Sequence, residues 1–233
     1  FAGVDLKLSS LFSLKTNLSR NYRLPTFNDL YWVPGGNIDL QPEQGWSEEM
    51  GLRFLKINEK CTGENCLPSS SGLSTLEFSS TVFNRNIDNW IMWVPEGAYW
   101  LPKNVLKVWS RGVENVIRIN WKLRKVRWNI DGQYDYVLST NEKVAIGNEN
   151  DLGKQLIYVP FHKASINTGF SINDFQVQYA HRYTGWVYTL SDNEDFLDGF
   201  WIGSIRLSQR LNLKKVQSIY CSVLTIYGIK VIR

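Results

Sequence analysis

From Val126 to Leu138 the chain alternates without a break. Val126, Trp128, Ile130, Gly132, Tyr134, Tyr136 and Leu138 share one side; Arg127, Asn129, Asp131, Gln133 and Asp135 share the other. A period of two belongs to a β-strand with one apolar and one polar face. On a helix the same apolar positions would spiral around the axis. The run covers about 13 residues, well above the usual globular strand of about 5–6. A strand this long and this two-faced needs an apolar cover along its whole length, so the identity of that cover decides the fold.

The pattern recurs along the chain. Phe12, Leu14, Thr16 and Leu18 oppose Ser13, Lys15, Asn17 and Ser19, until Arg23-Leu24-Pro25-Thr26 stops the run, since Pro25 cannot donate to a ladder. Residues 1–8, 46–55, 73–93, 103–122, 163–172, 175–183 and 201–208 alternate similarly. A phase slip near Asn86 suggests a bulge or bend. The reading is about ten strands and no substantial helix. Tight turns fall near residues 9, 123, 173 and 211; long loops span 22–45, 94–102, 139–157 and 189–199. Stacked hairpins then carry short turns at one rim and long loops at the other. The Cys-containing insertion at 57–72 is the exception, on the short-turn side.

Composition narrows the choice of cover. The 233 residues suffice for one large all-β domain or two small ones. Charged residues make up 21% and the net charge is +4, too mild to imply nucleic acid. Aromatics are abundant, with 10 Trp, 11 Tyr and 11 Phe, as in carbohydrate-binding sandwiches and in membrane barrels with interfacial girdles. No run of about 18 apolar residues offers a membrane-spanning helix. Strand length, a polar face rich in Arg, Lys, Asp, Glu and Gln, and the asymmetry of turns and loops favour a transmembrane β-barrel over a soluble sandwich. Trp46, Trp121, Trp128 and Tyr183 stand near strand ends, as girdle residues do. The first residue is Phe1 rather than a start methionine, so a mature form or a fragment is expected.

Little points to catalysis. His162 and His181 have no Ser, Cys or paired carboxylate at a catalytic spacing, and no Gly-rich phosphate loop is present. An enzyme is not expected, nor a cofactor. Cys61 and Cys66 flank the turn-forming Thr-Gly-Glu-Asn; a small-loop disulfide and two free thiols both fit, while zinc would lack two of its four ligands. Glu194, Asp195 and Asp198 read as a solvated acidic loop, with cation binding as the alternative.

The segment Arg23-Leu24-Pro25-Thr26-Phe27-Asn28-Asp29-Leu30-Tyr31, followed by Gly36-Asn37-Ile38-Asp39-Leu40-Gln41-Pro42-Glu43, resembles a barrel motif of TonB-dependent outer-membrane receptors. Arg111-Gly112-Val113-Glu114, then Gly153-Lys154-Gln155-Leu156 through Pro160-Phe161-His162, and Tyr183-Thr184-Gly185 are similar to later barrel strands of that family, in collinear order. The nearest flavour is the cobalamin- and siderophore-receptor branch. The resemblance implies an all-β, antiparallel transmembrane barrel of 22 strands, of which this chain supplies about ten from the C-terminal part. It implies a bacterial outer-membrane location and contact with outer-membrane lipid. It also implies a TonB-type periplasmic energy-coupling partner, acting through a plug absent from this chain, and a scarce small-molecule ligand such as cobalamin or an iron–siderophore. Tyr31, Trp32, Tyr99, Trp100 and Trp186 in the long loops are the expected ligand contacts. A passive porin or adhesin barrel and a soluble glycan-binding β-sandwich are the alternatives.

Residues 1–215 follow the family pattern and 216–233 leave it. Thr-Ile-Tyr-Gly-Ile-Lys-Val-Ile in the tail can be back-translated so that the neighbouring frame reads Asn-Asn-Ile-Trp-Asn-Lys-Ser-Tyr, a string typical of the family. A frameshift near residues 214–216 is therefore the expectation, which would make Cys221 an accident of frame.

Overall fold

The computed structural model describes residues 1–62, 65–68, 71–143, 149–213, 216–222 and 230–231. One antiparallel sheet of 11 strands contains every long strand. Its order follows the chain: β1 (Ala2–Lys7), β2 (Phe12–Arg23), β3 (Glu43–Ile57), β6 (Ser71–Glu96), β7 (Tyr99–Leu123), β8 (Val126–Lys143), β9 (His162–Ile172), β10 (Phe175–Thr184), β13 (Phe200–Leu213) and β14 (Val216–Ser222). β15 (Lys230–Val231) also pairs with β13. Two minor hairpins stand apart from the sheet: β4 (Glu59–Thr62) with β5 (Asn65–Pro68), and β11 (Val187–Tyr188) with β12 (Phe196–Leu197). Among the described residues there is no second large sheet, so the two-layer sandwich considered as an alternative does not describe this chain.

Register aligns the alternating residues into rows. Phe12, Phe54, Phe78, Ile117, Gly132 and Ile166 stand side by side across six strands. A second row runs through Val4, Thr16, Met50, Val82, Val113 and Tyr136, and a third through Trp121, Trp128 and Phe170. Among the described residues nothing covers this face: Met50 is 50% exposed, Trp121 45% and Ile166 42%. On β8 the band from Trp128 to Tyr136 measures about 27 Å along the strand at ~3.4 Å per residue. Tyr134 and Tyr136 bracket His162 at its loop end, and the Tyr134 hydroxyl lies 2.9 Å from His162 Nδ1. At the other end Trp128 Nε1 donates to Thr168 Oγ1. Both ends are thus amphipathic, aromatic with a polar handle.

The opposite face is charged and internally paired. Arg53 Nε donates to Glu77 Oε1 at 2.8 Å, and Arg118 reaches Glu77 Oε2 at 3.3 Å and Asp131 Oδ1 at 3.8 Å. That ladder ties β3, β6, β7 and β8. Arg85 bonds Glu49 one layer nearer the loops, at 2.8 Å.

The short turns at Arg124 and Asn173, both in the left-handed region, hold their expected end of the sheet, whereas the turn expected near residue 211 comes later, since β13 runs to Leu213 and Leu211 pairs with Ser218. Three further features differ from the sequence reading. Residues 94–102 form no long loop. β6 and β7 continue past their neighbours as a two-stranded arm closed by Gly97 and Ala98, with Glu96 opposite Tyr99. Pro102 pairs with Trp93 on this arm, where the lateral strands have ended and a missing N–H costs no ladder bond. Asn86 itself pairs regularly with Trp46 and Trp109; the irregularity lies three residues on, at Asn89, which is left-handed and is passed over between the Asp88–Lys107 and Trp90–Val105 pairs, and a register shift lies between Leu73 and Thr75. The apolar phase changes above Asn86 because the cover changes: Ile91 and Trp93 pack beneath the 24–42 loop rather than joining the exposed band. Finally, β8 reaches Lys143, so the following loop starts later than residue 139.

The small buried core lies at the loop end. It comprises Leu40, Phe83, Ile91, Val108, Leu156 and Ile157. The backbone sets Cys61 opposite Cys66 in the β4–β5 hairpin, while their side chains lie outside the described residues, as do those of the tail beyond residue 210.

Candidate functional site

Between β2 and β3 the chain turns sharply into a single-turn helix, α1 (Phe27–Tyr31). Thr26 caps it: its Oγ1 accepts from Asp29 N, and Asp29 Oδ2 accepts from Thr26 N at 2.8 Å. The cue was present as Thr-x-x-Asp ahead of an apolar pair. Asp29 serves a second purpose. Its Oδ1 accepts from Trp93 Nε1 at 2.9 Å, which ties the loop to the β6–β7 arm. Burial alone would push this carboxyl up; the bonds from Thr26 and Trp93 and the nearby Arg23 outweigh it and hold it below the ordinary aspartate value. Glu43 completes the junction. It takes a two-pronged bond from Arg23 and accepts from Ile91 N at 2.8 Å. Asn104 bonds Gln41 in both directions. Arg23, Glu43 and Trp93 follow the alternation of the polar face, so the loop folds over that side.

The other loops join by aromatic contacts. Trp100 meets Tyr158 with ring centroids 5.4 Å apart. Tyr158 N donates to the Tyr188 carbonyl at 2.9 Å. Trp186 sits among Phe161, Tyr188 and Phe196 at 5.0, 4.9 and 6.0 Å. Gln155 and Asn193 clasp each other through two backbone–side-chain bonds of 2.9 Å. Gly35 presses on the arm so closely that a Cβ there would stand 2.4 Å from the Trp100 carbonyl oxygen.

Of the five expected contacts, Trp100 packs on Tyr158 and Trp186 on Tyr188, and a backbone hydrogen bond joins Tyr158 to Tyr188. Trp32 is exposed, its carbonyl accepting from Gly35 N, with no ring partner among the described residues. Tyr31 packs instead on Phe27 at 4.9 Å. Tyr99 stands exposed at the arm's tip, with no ring partner among the described residues. The sequence reading missed Tyr158, Phe161, Tyr188 and Phe196. Their only signal was aromatic density in otherwise polar loops. Among the described residues no group of three His, Cys, Asp or Glu is placed to hold a metal ion.

A long sheet with one exposed apolar face, aromatic borders and loops gathered at one end is the wall of a membrane barrel in form. The profile of the family described as TonB dependent receptor-like, beta-barrel matches residues 2–228. The chain belongs to that family. Its β-sheet is thus a segment of a TonB-dependent receptor barrel, not closed on itself within these residues. The chain is 27% identical over 206 residues to a vitamin B12 transporter, BtuB, of Photobacterium profundum, covering 86% of this chain and 29% of the relative. A second BtuB, of Vibrio vulnificus, is 27% identical over 114 residues, covering 48% and 16%. Among solved structures, the copper transporter OprC superposes with a TM-score of 0.61 at 14% identity, covering 90% of this chain and 31% of that one. The siderophore receptor PiuA of Acinetobacter baumannii gives 0.60 at 18% identity, covering 90% and 29%. At such identities these two show the fold. The TonB-dependent receptor segment therefore spans about a third or less of the chains it resembles. Its family is one of receptors, in agreement with the reading that no enzyme is present.

Proposed function

We propose that this chain is part of the wall and external mouth of a bacterial outer-membrane receptor that takes up a scarce ligand, of the cobalamin or iron–siderophore type. The observation that carries the reading is the family match over nearly the whole chain, joined to an apolar face left bare between two aromatic borders. Outer-membrane lipid would cover that face. Uptake would be driven by a TonB-type periplasmic protein acting on a plug encoded outside this segment. Trp100 and Trp186, with Trp32 alongside, are proposed as ligand contacts on the loop side; Tyr31 and Tyr99 are proposed as outlying ones. The β4–β5 hairpin would lie on the periplasmic side, where a Cys61–Cys66 disulfide is chemically permitted, and its support is the direct cross-strand pairing of the two positions. Residues 1–215 are proposed as the barrel part. A frameshift near residues 214–216 is proposed as the origin of the tail; the family profile itself runs on to residue 228, and the coding DNA decides.

The test is uptake by the complete receptor gene in a host lacking its own cobalamin and siderophore receptors. Radiolabelled cyanocobalamin or a ferric siderophore should accumulate only when the TonB system is intact. Flux that ignores TonB and merely falls with solute size would mark a passive porin and sink the reading.

A further inference from the structure

We propose that the loop between β10 and β13 carries a binding site for a small organic cation, an ammonium group bearing short alkyl substituents. The loop borders an open depression of about 520 Å³, large enough for such a ligand. Trp186 and Tyr188 form one corner, with ring planes at 87°; Phe196 stands at 69° to Trp186 on another side. Tyr183 contributes to the same lining. Trp186, Tyr188, Phe196 and Tyr183 thus supply four aromatic rings to one lining.

The charges agree with the aromatics. Glu194 and Asp198 line the depression, and no lysine or arginine does. Neither carboxylate has an ion pair among the described residues. Asp195, between them, is already engaged: it accepts from Thr189 Oγ1 at 3.0 Å, and its carbonyl takes the Thr189 N–H. The acidic loop thus divides into one residue that shapes it and two that line the depression. The stated chemistry follows from this combination. An anion would meet two unpaired carboxylates. A metal ion would need three or more donor side chains, and no such group exists among the described residues. An alkylammonium gains from ring faces within about 6 Å and from carboxylates at the rim, and its alkyl body suits apolar walls. The inference concerns binding at this loop and holds whatever ligand the receptor transports.

The probe is choline chloride, titrated calorimetrically into the complete receptor in a maltoside detergent, since phosphocholine detergents would compete. Its uncharged carbon isostere, 3,3-dimethylbutan-1-ol, is the control. Choline should bind saturably, about tenfold or more tightly than the isostere. Glu194→Gln combined with Asp198→Asn, both at exposed positions, should erase that preference. Trp186→Phe should weaken choline several-fold, and Trp186→Ala more so, while heat-modifiable mobility on gels reports that the barrel remains folded. Equal affinity for choline and the isostere, absence of saturable choline binding, or an unchanged preference in the doubly neutralised variant would each overturn the proposal. Loss of cobalamin or siderophore uptake alone would bear on the transport reading and leave this one standing.

Discussion

Asp29 concentrates the consequences of the loop's design in one side chain. It caps α1 on one oxygen and holds the β6–β7 arm by Trp93 on the other. Removing it in Asp29→Ala leaves Thr26 N, Thr26 Oγ1 and Trp93 Nε1 without their acceptor, at a cost of about 1–3 kcal/mol for part-buried donors. If chymotrypsin must open the loop to cut at Phe27, Tyr31 or Trp32, cleavage should quicken roughly 5- to 150-fold. Asp39→Ala, in the same loop but exposed and unpaired through its carboxylate, should change little. Quantified loop cleavage of the two variants checks this; equal rates would mean that Asp29 does not hold the loop. The same group makes a pH prediction. Its folded-state value lies below the ordinary 3.8. Its contribution is therefore complete above that value and is lost as pH falls below 3.8 toward the folded value. Cleavage of the native loop by pepsin should accelerate in that acid window, and the pH dependence should vanish in Asp29→Asn.

At the scale of the strand, each alternating position commits a residue to lipid or to the polar interior. Ile117 and Gln133 put that commitment to the test, since they lie on adjacent strands at nearly the same level but on opposite faces. Ile117→Lys places a charge in the middle of the exposed band, at a cost of about 2–4 kcal/mol if lipid covers it. Gln133→Lys places the same charge on the polar face beside Asp135, which Gln133 already touches, and should cost little. Urea unfolding of the complete receptor in lipid vesicles reads both. Equal penalties would remove the assignment of faces. This two-sided commitment is also why the strands were legible in the sequence: period two is a local signal, and Val126 to Leu138 displays it without help from the rest of the fold. The β6–β7 arm was not legible. Whether residues 94–102 pair depends on Glu43 and Asp29 arriving from 48 and 64 positions upstream to accept from Ile91 N and Trp93 Nε1. Likewise, Trp100 meeting Tyr158 and Gln155 clasping Asn193 are contacts between loops, which no local pattern encodes. The five expected contacts share only aromaticity in loops, a criterion that does not separate Trp100 and Trp186, which pack on other rings, from Tyr99, which has no ring partner among the described residues.

For the molecule as a whole, the decisive fact is that the sheet does not close. β1 ends it on one side, and β14 with β15 on the other, each pairing on one flank only. In lipid an unpaired edge is expensive, because no water satisfies its N–H and C=O groups. β1 has six residues; even a few of its backbone groups left unpaired in hydrocarbon would exceed a marginal folding free energy of about 5–15 kcal/mol. The 233 residues should therefore not insert as a folded unit by themselves. Refolded alone into lipid vesicles, they should show no heat-modifiable species on gels and should remain open to protease along their strands. Mixed during refolding with the complementary part of the same receptor, they should yield a compact, protease-resistant barrel, since the added strands pair both edges at once. A stable, monomeric, heat-modifiable product from this chain alone would mean that it seals its own edges, and the description of it as an open segment of a larger receptor wall would have to be abandoned.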